Sequence, residues 1–111
     1  MKPVIKVFLY DEKEERFFGE GPYRLLCGVE ETGSLRRAAA KMDMAYTKAL
    51  SMVKKAEEAL GFPLTEKFTG GKGGGGSRLT VQAQEFLKKY EKFRDGCQDA
   101  GNELFIREFD Q

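Results

Sequence analysis

The side chains best suited to bind a polyanion are concentrated in residues 33–55 of this sequence. Apolar residues recur there at helical spacing, first over 35–42 and again over 49–60, which predicts two helices with a break between them. Ser34 is placed to cap the first helix, and a run of small alanines lets the helices cross closely. The residues left facing outward are cationic or carry hydroxyl groups: Arg36, Arg37, Lys41, Tyr46, Thr47, Lys48, Ser51, Lys54 and Lys55. This pattern indicates a helix-turn-helix with a face that binds DNA.

The charge of the chain is unevenly distributed. The net charge is only +1, but residues 33–78 hold nine basic and four acidic side chains, a net charge of +5. The residues before this segment and those after it each hold five basic and seven acidic side chains, a net charge of −2. Because local fields rather than total charge steer a polyanion, the middle third is the predicted binding surface, although uneven charge also arises by chance.

Catalysis is not expected from this composition. The sequence has no histidine, the commonest general base, and its carboxylates occur in charge-mixed patterns typical of solvated helix faces. Cys27 and Cys97 are too few and too far apart for a zinc site, so we expect reduced thiols, no metal and no cofactor. A small redox or phosphoryl-transfer enzyme that uses Cys27 or Lys72 is the enzymatic alternative.

A glycine-rich segment, TGGKGGGGS, occupies residues 69–77. A P-loop needs serine or threonine after its lysine, whereas Lys72 is followed by Gly73. A plain flexible linker would also tolerate this composition. Because short strand-like runs flank the segment, we interpret it as the tip of a wing, whose bare backbone can approach phosphates or the minor groove.

The predicted fold is mostly α-helical with small β-hairpins, a winged helix-turn-helix in one domain of 111 residues. We expect a hairpin over residues 4–18, three helices over 22–60 with the helix-turn-helix at 34–60, a wing over 64–79 and a C-terminal helix over 80–109. No apolar run approaches the length of a membrane span, and the N-terminus is a poor signal peptide. A cytoplasmic location, without membrane contact, is therefore expected.

The C-terminal helix carries an apolar seam. The residues of the seam are Phe86, Tyr90, Phe93, Cys97, Ala100 and Leu104. They are separated alternately by four and three positions, close to the 3.5-residue period of a coiled coil. The first turns can pack on the chain's own domain, but beyond Phe93 few residues remain to cover the seam, so we predict a homodimer through it. Gly96 and Gly101 each weaken the helix by about 1 kcal/mol relative to alanine, which allows a bend near Gly101.

Residues 33–67 resemble the helix-turn-helix of LysR-type regulators, with which they share a glycine-serine start, an alanine pair and a glycine-x-proline-leucine exit. A closer resemblance, over residues 4–90, is to the N-terminal domain of the ModE family of molybdate-responsive regulators. There the same distance separates the glycine-serine start from a nearly identical TGGKGGGG wing followed by leucine and threonine. The resemblance implies a dimeric transcription factor that places the second helix of the motif in the major groove of double-stranded DNA.

The resemblance also assigns roles by position. The residues expected near base edges are Tyr46, Thr47, Lys48 and Ser51. The residues expected to contact phosphates are Ser34, Arg36, Lys55, Thr69, Lys72 and Arg78. The wing glycines expected at the backbone or the minor groove are Gly73, Gly74, Gly75 and Gly76. The remaining members of the expected DNA-binding surface are Arg37, Lys54 and Ser77. Leu50 departs from both families, which have a polar or a large aromatic residue at that position.

The sequence ends before the oxyanion-binding modules that follow in the ModE family. We therefore expect a regulator without a molybdate site, whose response to any effector would need a separate sensing protein. The alternative function is a non-catalytic winged helix that binds another protein and uses its long helix as a dimer strut. Binding to duplex DNA that weakens steeply with salt distinguishes the first reading from the second.

Overall fold

The structure, a computed structural model, describes residues 1–69 and 75–109. The elements of these residues are, in chain order, β1 (Leu9–Tyr10), β2 (Arg16–Phe18), α1 (Glu20–Thr32), α2 (Leu35–Lys41), α3 (Tyr46–Leu60), β3 (Thr65–Phe68), β4 (Gly76–Leu79) and α4 (Val81–Phe109). Strands β1 and β2 pair antiparallel, as do β3 and β4. The predicted winged helix-turn-helix fold is confirmed.

The core forms where α1, α2 and α3 meet. Leu25 and Val29 of α1 are fully buried, together with Ala49 of α3. Gly28 allows α1 and α2 to cross at close range, because a Cβ atom built on it would lie 2.9 Å from the Cβ atom of Ala38. The small residues at the crossing therefore fix the angle at which the helix-turn-helix leaves α1.

Local sequence determines where the helices of the motif begin and end. Ser34 adopts an extended conformation, and its hydroxyl oxygen accepts a hydrogen bond from the backbone N–H of Arg37 at 3.1 Å, which caps α2. The turn between α2 and α3 includes Asp43 in the left-handed region (φ 53°). Gly61 (φ 82°) ends α3, and the Glu57 carboxylate then accepts from the backbone N–H of Leu64 at 2.8 Å. These caps orient α3 relative to the wing.

The wing is joined to the helix-turn-helix through the backbone of β4. The N–H of Ser77 donates to the carbonyl oxygen of Gly33 at 2.9 Å. A Cβ atom on Gly76 would collide with that same carbonyl and with the ring of Phe68, so only glycine fits at this contact. The root of the wing is thereby held against the start of α2.

The N-terminal hairpin is shorter than the sequence predicted. Residues 4–8 were expected in a strand, but the strand begins only at Leu9. Instead this segment lies against α4: the hydroxyl of Tyr90 donates to the carbonyl of Val7 at 2.9 Å, and the side-chain amide of Gln98 donates to the carbonyl of Ile5 at 3.2 Å. The apolar side chains that favoured a strand are used to cover a helix.

Helix α4 is continuous through Gly101 to Phe109, so the helix is not interrupted at Gly101. Its first half belongs to the domain core, because Tyr90 packs edge-on against Phe18 with ring centroids 4.9 Å apart. Arg94 then lies 4.7 Å from the centroid of the Tyr23 ring of α1. Burial raises the pKa of Tyr23, whose hydroxyl is hydrogen-bonded with Cys27.

Arg94 also fastens α4 to the start of α1 through an ion pair with the Glu20 carboxylate at 3.2 Å. Burial raises the pKa of the Cys27 thiol as well, which keeps it protonated at neutral pH.

Within the described ranges, no helix is both long enough and apolar enough to cross a bilayer.

Candidate nucleic-acid interface

The outer face of α3 is polar and cationic over residues 47–55. Thr47, Lys48, Ser51, Lys54 and Lys55 are all exposed. The opposite face of the helix is fully used by the core. None of the three lysines forms an ion pair with a described carboxylate. The predicted helical periodicity therefore places these five side chains together on one free surface.

One residue of this surface is apolar. Leu50 is half-buried and lines a shallow depression on α3 with Thr47 and Ser51. The depression also reaches Glu58, the exposed carboxylate near the end of the helix. The anion-binding character of α3 is thus strongest over its first three turns.

A second feature is a groove of about 300 Å³ between the starts of α2 and α3 and the root of the wing. The polar side chains that line it are those of Ser34, Arg36, Tyr46, Lys67, Thr69 and Ser77. Each of them carries a cation or a hydroxyl, and no carboxylate is among the described residues that line the groove. Such a surface donates hydrogen bonds to anions without an internal competitor, as phosphate recognition requires.

Lys67 was missed by the sequence reasoning. It was read as part of an alternating strand, and its exposed position beside Thr69 became visible only with the register of the wing. Phosphate contacts were expected instead from Arg78 on the opposite strand. Lys67 is therefore an additional cation of the groove.

Arg78 is engaged by its own chain. Its Nε donates to the Glu66 carboxylate at 3.0 Å, and its guanidinium lies 5.7 Å from the centroid of the Phe68 ring. Glu66 and Arg78 are direct partners in the β3–β4 register, so the pairing follows from cross-strand geometry. The expected phosphate contact from Arg78 would require this ion pair to open or to share its donors.

Arg36 contacts another predicted site residue. Its guanidinium lies 4.0 Å from the centroid of the Tyr46 ring, a stacking arrangement between α2 and the first residue of α3. Arg37, its neighbour, is exposed. The two arginines were grouped together from the sequence, but only the first is stacked on an aromatic ring.

The wing tip is partly outside the described residues. Lys72, Gly73 and Gly74, which the sequence assigned to phosphates and the minor groove, belong to the part that the structure does not describe. Thr69 and Gly75, on either side of it, are both exposed. The bases of the wing strands thus lie beside the groove as the wing interpretation requires.

The predicted dimer seam divides into two parts. Tyr90 is only 3% exposed, and Phe86 is half-buried against the core, so these two residues serve the chain's own domain. Farther along, Phe93 and Leu104 are 56% and 51% exposed. Ala100 is exposed and Cys97 is partly exposed. The exposed part of the predicted seam therefore begins at Phe93.

Comparison with known proteins places these features in a family context. The family of bacterial regulatory helix-turn-helix proteins of the lysR type matches residues 23–84, which include most of α1, all of α2 and α3, and both strands of the wing. The chain is 37% identical over 81 residues to the molybdenum transport protein ModE of Herbaspirillum seropedicae, a match that covers 73% of this chain and 28% of that protein. It is 35% identical over 68 residues to the transcriptional regulator ModE of Haemophilus influenzae, covering 61% of this chain and 27% of that protein. The matched part thus spans just over a quarter of the length of these relatives, and the resemblance predicted from the helix-turn-helix and the wing is confirmed.

Proposed function

Because the chain belongs to the lysR family of bacterial regulatory helix-turn-helix proteins and is a DNA-binding transcriptional regulator of the ModE-like type, we propose that it reads a specific operator as a homodimer. The helix α3 would enter the major groove and the wing would lie against the adjacent backbone. The protein acts by binding rather than by catalysis, in the cytoplasm. Any response to an effector would come from a separate sensing protein.

The observation that carries this proposal is the free polar face of α3 beside the cationic groove. In our assignment, Tyr46, Thr47, Lys48 and Ser51 reach base edges and supply specificity. The phosphate contacts come from the residues around them, and these are Ser34, Arg36, Arg37, Lys54, Lys55, Lys67, Thr69, Lys72, Ser77 and Arg78, with the wing glycines 73–76 at the backbone or the minor groove. Phosphate contacts would supply much of the affinity and make it dependent on salt.

The proposed homodimer uses α4 beyond the core. Phe93 and Leu104 are large apolar side chains that the described part of this chain leaves half exposed. A second copy of the helix would cover them along the spacing of 93, 97, 100 and 104, which keeps the coiled-coil period. Two copies of α3 would then face two half-sites, as dimeric helix-turn-helix proteins require.

Salt dependence tests the central proposal. The protein would first be used to select its own duplex from a random pool, and binding to that duplex would then be measured between 50 mM and 200 mM salt. We expect the logarithm of the binding constant to fall linearly with the logarithm of the salt concentration, with a slope of roughly −0.9 for each neutralised phosphate. No selected sequence and no binding at the lowest salt would contradict the proposal.

The assignment of Lys48 to a base is tested by Lys48→Ala. If it reads a base edge, the substitution weakens binding to the selected duplex by about 1–3 kcal/mol, or roughly 5- to 150-fold, and weakens binding to a scrambled duplex much less. Lys88→Ala, which removes an exposed lysine of α4, is the control and changes neither affinity. An equal loss on both duplexes would assign Lys48 to the phosphates.

A further inference from the structure

We propose that Arg36 is a positioning residue for sequence recognition, in addition to any contact it makes with a phosphate. Its guanidinium would hold the ring of Tyr46 in the orientation that Tyr46 needs at the bases. This inference rests on the proposed DNA binding, because it concerns how that site discriminates between sequences.

The contact joins the two helices of the motif at the point where the reading helix begins. Arg36 is in the first turn of α2, and Tyr46 is the first residue of α3. The guanidinium carbon lies 4.0 Å from the centroid of the ring. Arg36 forms no ion pair with a described carboxylate, so the ring is the partner that holds its guanidinium in the free protein.

The start of α3 lacks the usual local restraint. The N-cap residue is Ala45, which provides no side-chain hydrogen bond to the first turn. The Tyr46 ring is only partly buried. A flat cation stacked on this ring reduces its rotational freedom before DNA arrives, so less conformational entropy is lost when the tyrosine hydroxyl meets a base.

The stack leaves the hydrogen-bonding edge of Arg36 available. In a stacked guanidinium the N–H groups point outward in the plane of the group, and Arg36 lines the groove with Ser34 and Lys67. The same side chain can therefore contact a phosphate while it restrains Tyr46. A lysine at this position would keep the charge but would not stack as a flat plane.

The test compares Arg36→Lys with Arg16→Lys, which makes the same replacement at an arginine outside the binding surface whose guanidinium lies 4.6 Å from the centroid of the Phe8 ring. The measured quantity is the ratio of affinities for the selected and the scrambled duplex, together with the salt slope. We expect Arg36→Lys to lower the ratio by about two- to fivefold, the range of an exposed cation–π contact, and to leave the slope unchanged because the charge is kept. Arg16→Lys should change neither quantity.

A double-variant cycle separates positioning of Tyr46 from a general structural effect. In a Tyr46→Ala background, Arg36→Lys should have no further effect on the affinity ratio, because the ring that Arg36 restrains is gone. Tyr46→Phe keeps the ring but lacks the hydroxyl that meets a base, so the affinity ratio of this variant should also be insensitive to Arg36→Lys. An unchanged ratio for Arg36→Lys alone, or a full additional loss in the Tyr46→Ala background, would overturn the inference.

One measurement on the free protein separates failure of this inference from failure of the proposed function. The δ-methylene proton signals of Arg36 should be shifted upfield by the ring current of Tyr46, and the shift should vanish in Tyr46→Ala. Unshifted signals overturn the positioning role even when the protein binds DNA selectively. Shifted signals in a protein that selects no duplex sequence refute the proposed function, and the positioning role is then refuted with it.

Discussion

The charge presented by the wing depends on a single carboxylate. Glu66 and Arg78 face each other across β3 and β4 at 3.0 Å, and both side chains are at least half exposed to solvent. An exposed ion pair of this kind adds little to folding stability. Its consequence concerns binding, because the carboxylate competes with DNA phosphates for the guanidinium and repels them.

We therefore expect Glu66→Gln to strengthen binding to every duplex, selected or scrambled. The expected gain is about two- to fivefold at low salt, with a steeper salt slope, because Arg78 becomes free to neutralise a phosphate. Titrations of both duplexes at several salt concentrations measure this. Glu103→Gln, an exposed carboxylate of α4, is the matched control and should have no effect. Equal affinities for the wild-type protein and Glu66→Gln would show that Arg78 does not reach the phosphates.

Sequence periodicity was enough to predict which side chains of α3 face outward. Periodicity was not enough to predict which residues the side chains of the other elements contact. The Glu66–Arg78 pair needs the strand register, and the Arg36–Tyr46 stack needs the crossing of two helices. Contacts between elements depend on tertiary geometry, which cannot be deduced from the spacing of residues in one sequence.

The elements themselves were predicted best where capping chemistry is local. Ser34 was expected to cap the first helix of the motif, and its hydroxyl accepts from the N–H of Arg37 at 3.1 Å. The strand expected over residues 4–8 was wrong, because β propensity reflects packing on a half-buried surface more than an intrinsic backbone preference. Here α4 supplied that surface.

The packing of Ile5 against α4 explains why glycine occupies position 101, although glycine has a low helix propensity. A Cβ atom on Gly101 would collide with the side chain of Ile5, whereas one on Gly96 would meet nothing within 4 Å. Both glycines are inside the same helix. They therefore form a natural pair in which propensity is the same and packing differs.

We expect Gly96→Ala to raise the free energy of unfolding by about 0.5–1 kcal/mol, the propensity gain of alanine over glycine in a helix interior. Gly101→Ala should gain less than this or lose stability, because the Ile5 side chain must move and the N-terminal segment shifts with it. Urea unfolding of both variants measures the difference. In an Ile5→Ala background the collision is absent, so Gly101→Ala should there be less destabilising than it is in the wild-type protein. Equal gains from the two alanines would show that the segment does not pack on α4 in solution.

At the scale of the whole molecule, the protein is elongated. The molecule extends 59 Å along its longest axis and 30 by 25 Å across it. Helix α4, with 29 residues, is about 43 Å long at 1.5 Å per residue. Residue 5 of the N-terminal segment packs on the second half of α4, and the large apolar residues Phe93, Leu104, Ile106 and Phe109 form an exposed stripe on that helix. The sequence predicted this stripe but began it too early, because it could not show that Tyr90 completes the core.

This stripe makes the oligomeric state the decisive property of the molecule as a whole. The variant with Phe93→Glu and Leu104→Glu should be monomeric in sedimentation equilibrium, because four carboxylates would meet in the paired helices of a dimer. Its thermal stability as a domain should be nearly unchanged, since both side chains are about half exposed in one chain. Val81→Glu is the control, because Val81 is 67% exposed at the start of the same helix but outside the stripe.

The monomeric variant should also bind the selected duplex more weakly than the wild-type protein, while the two proteins bind an isolated half-site equally. The reason is that a dimer engages its second half-site intramolecularly, at a high effective concentration. A wild-type protein that sediments as a monomer would contradict the proposed homodimer. A double variant that remains dimeric would place the interface elsewhere, and the next surface to substitute would then be the outward side of residues 4–8, where Val4 and Phe8 are exposed.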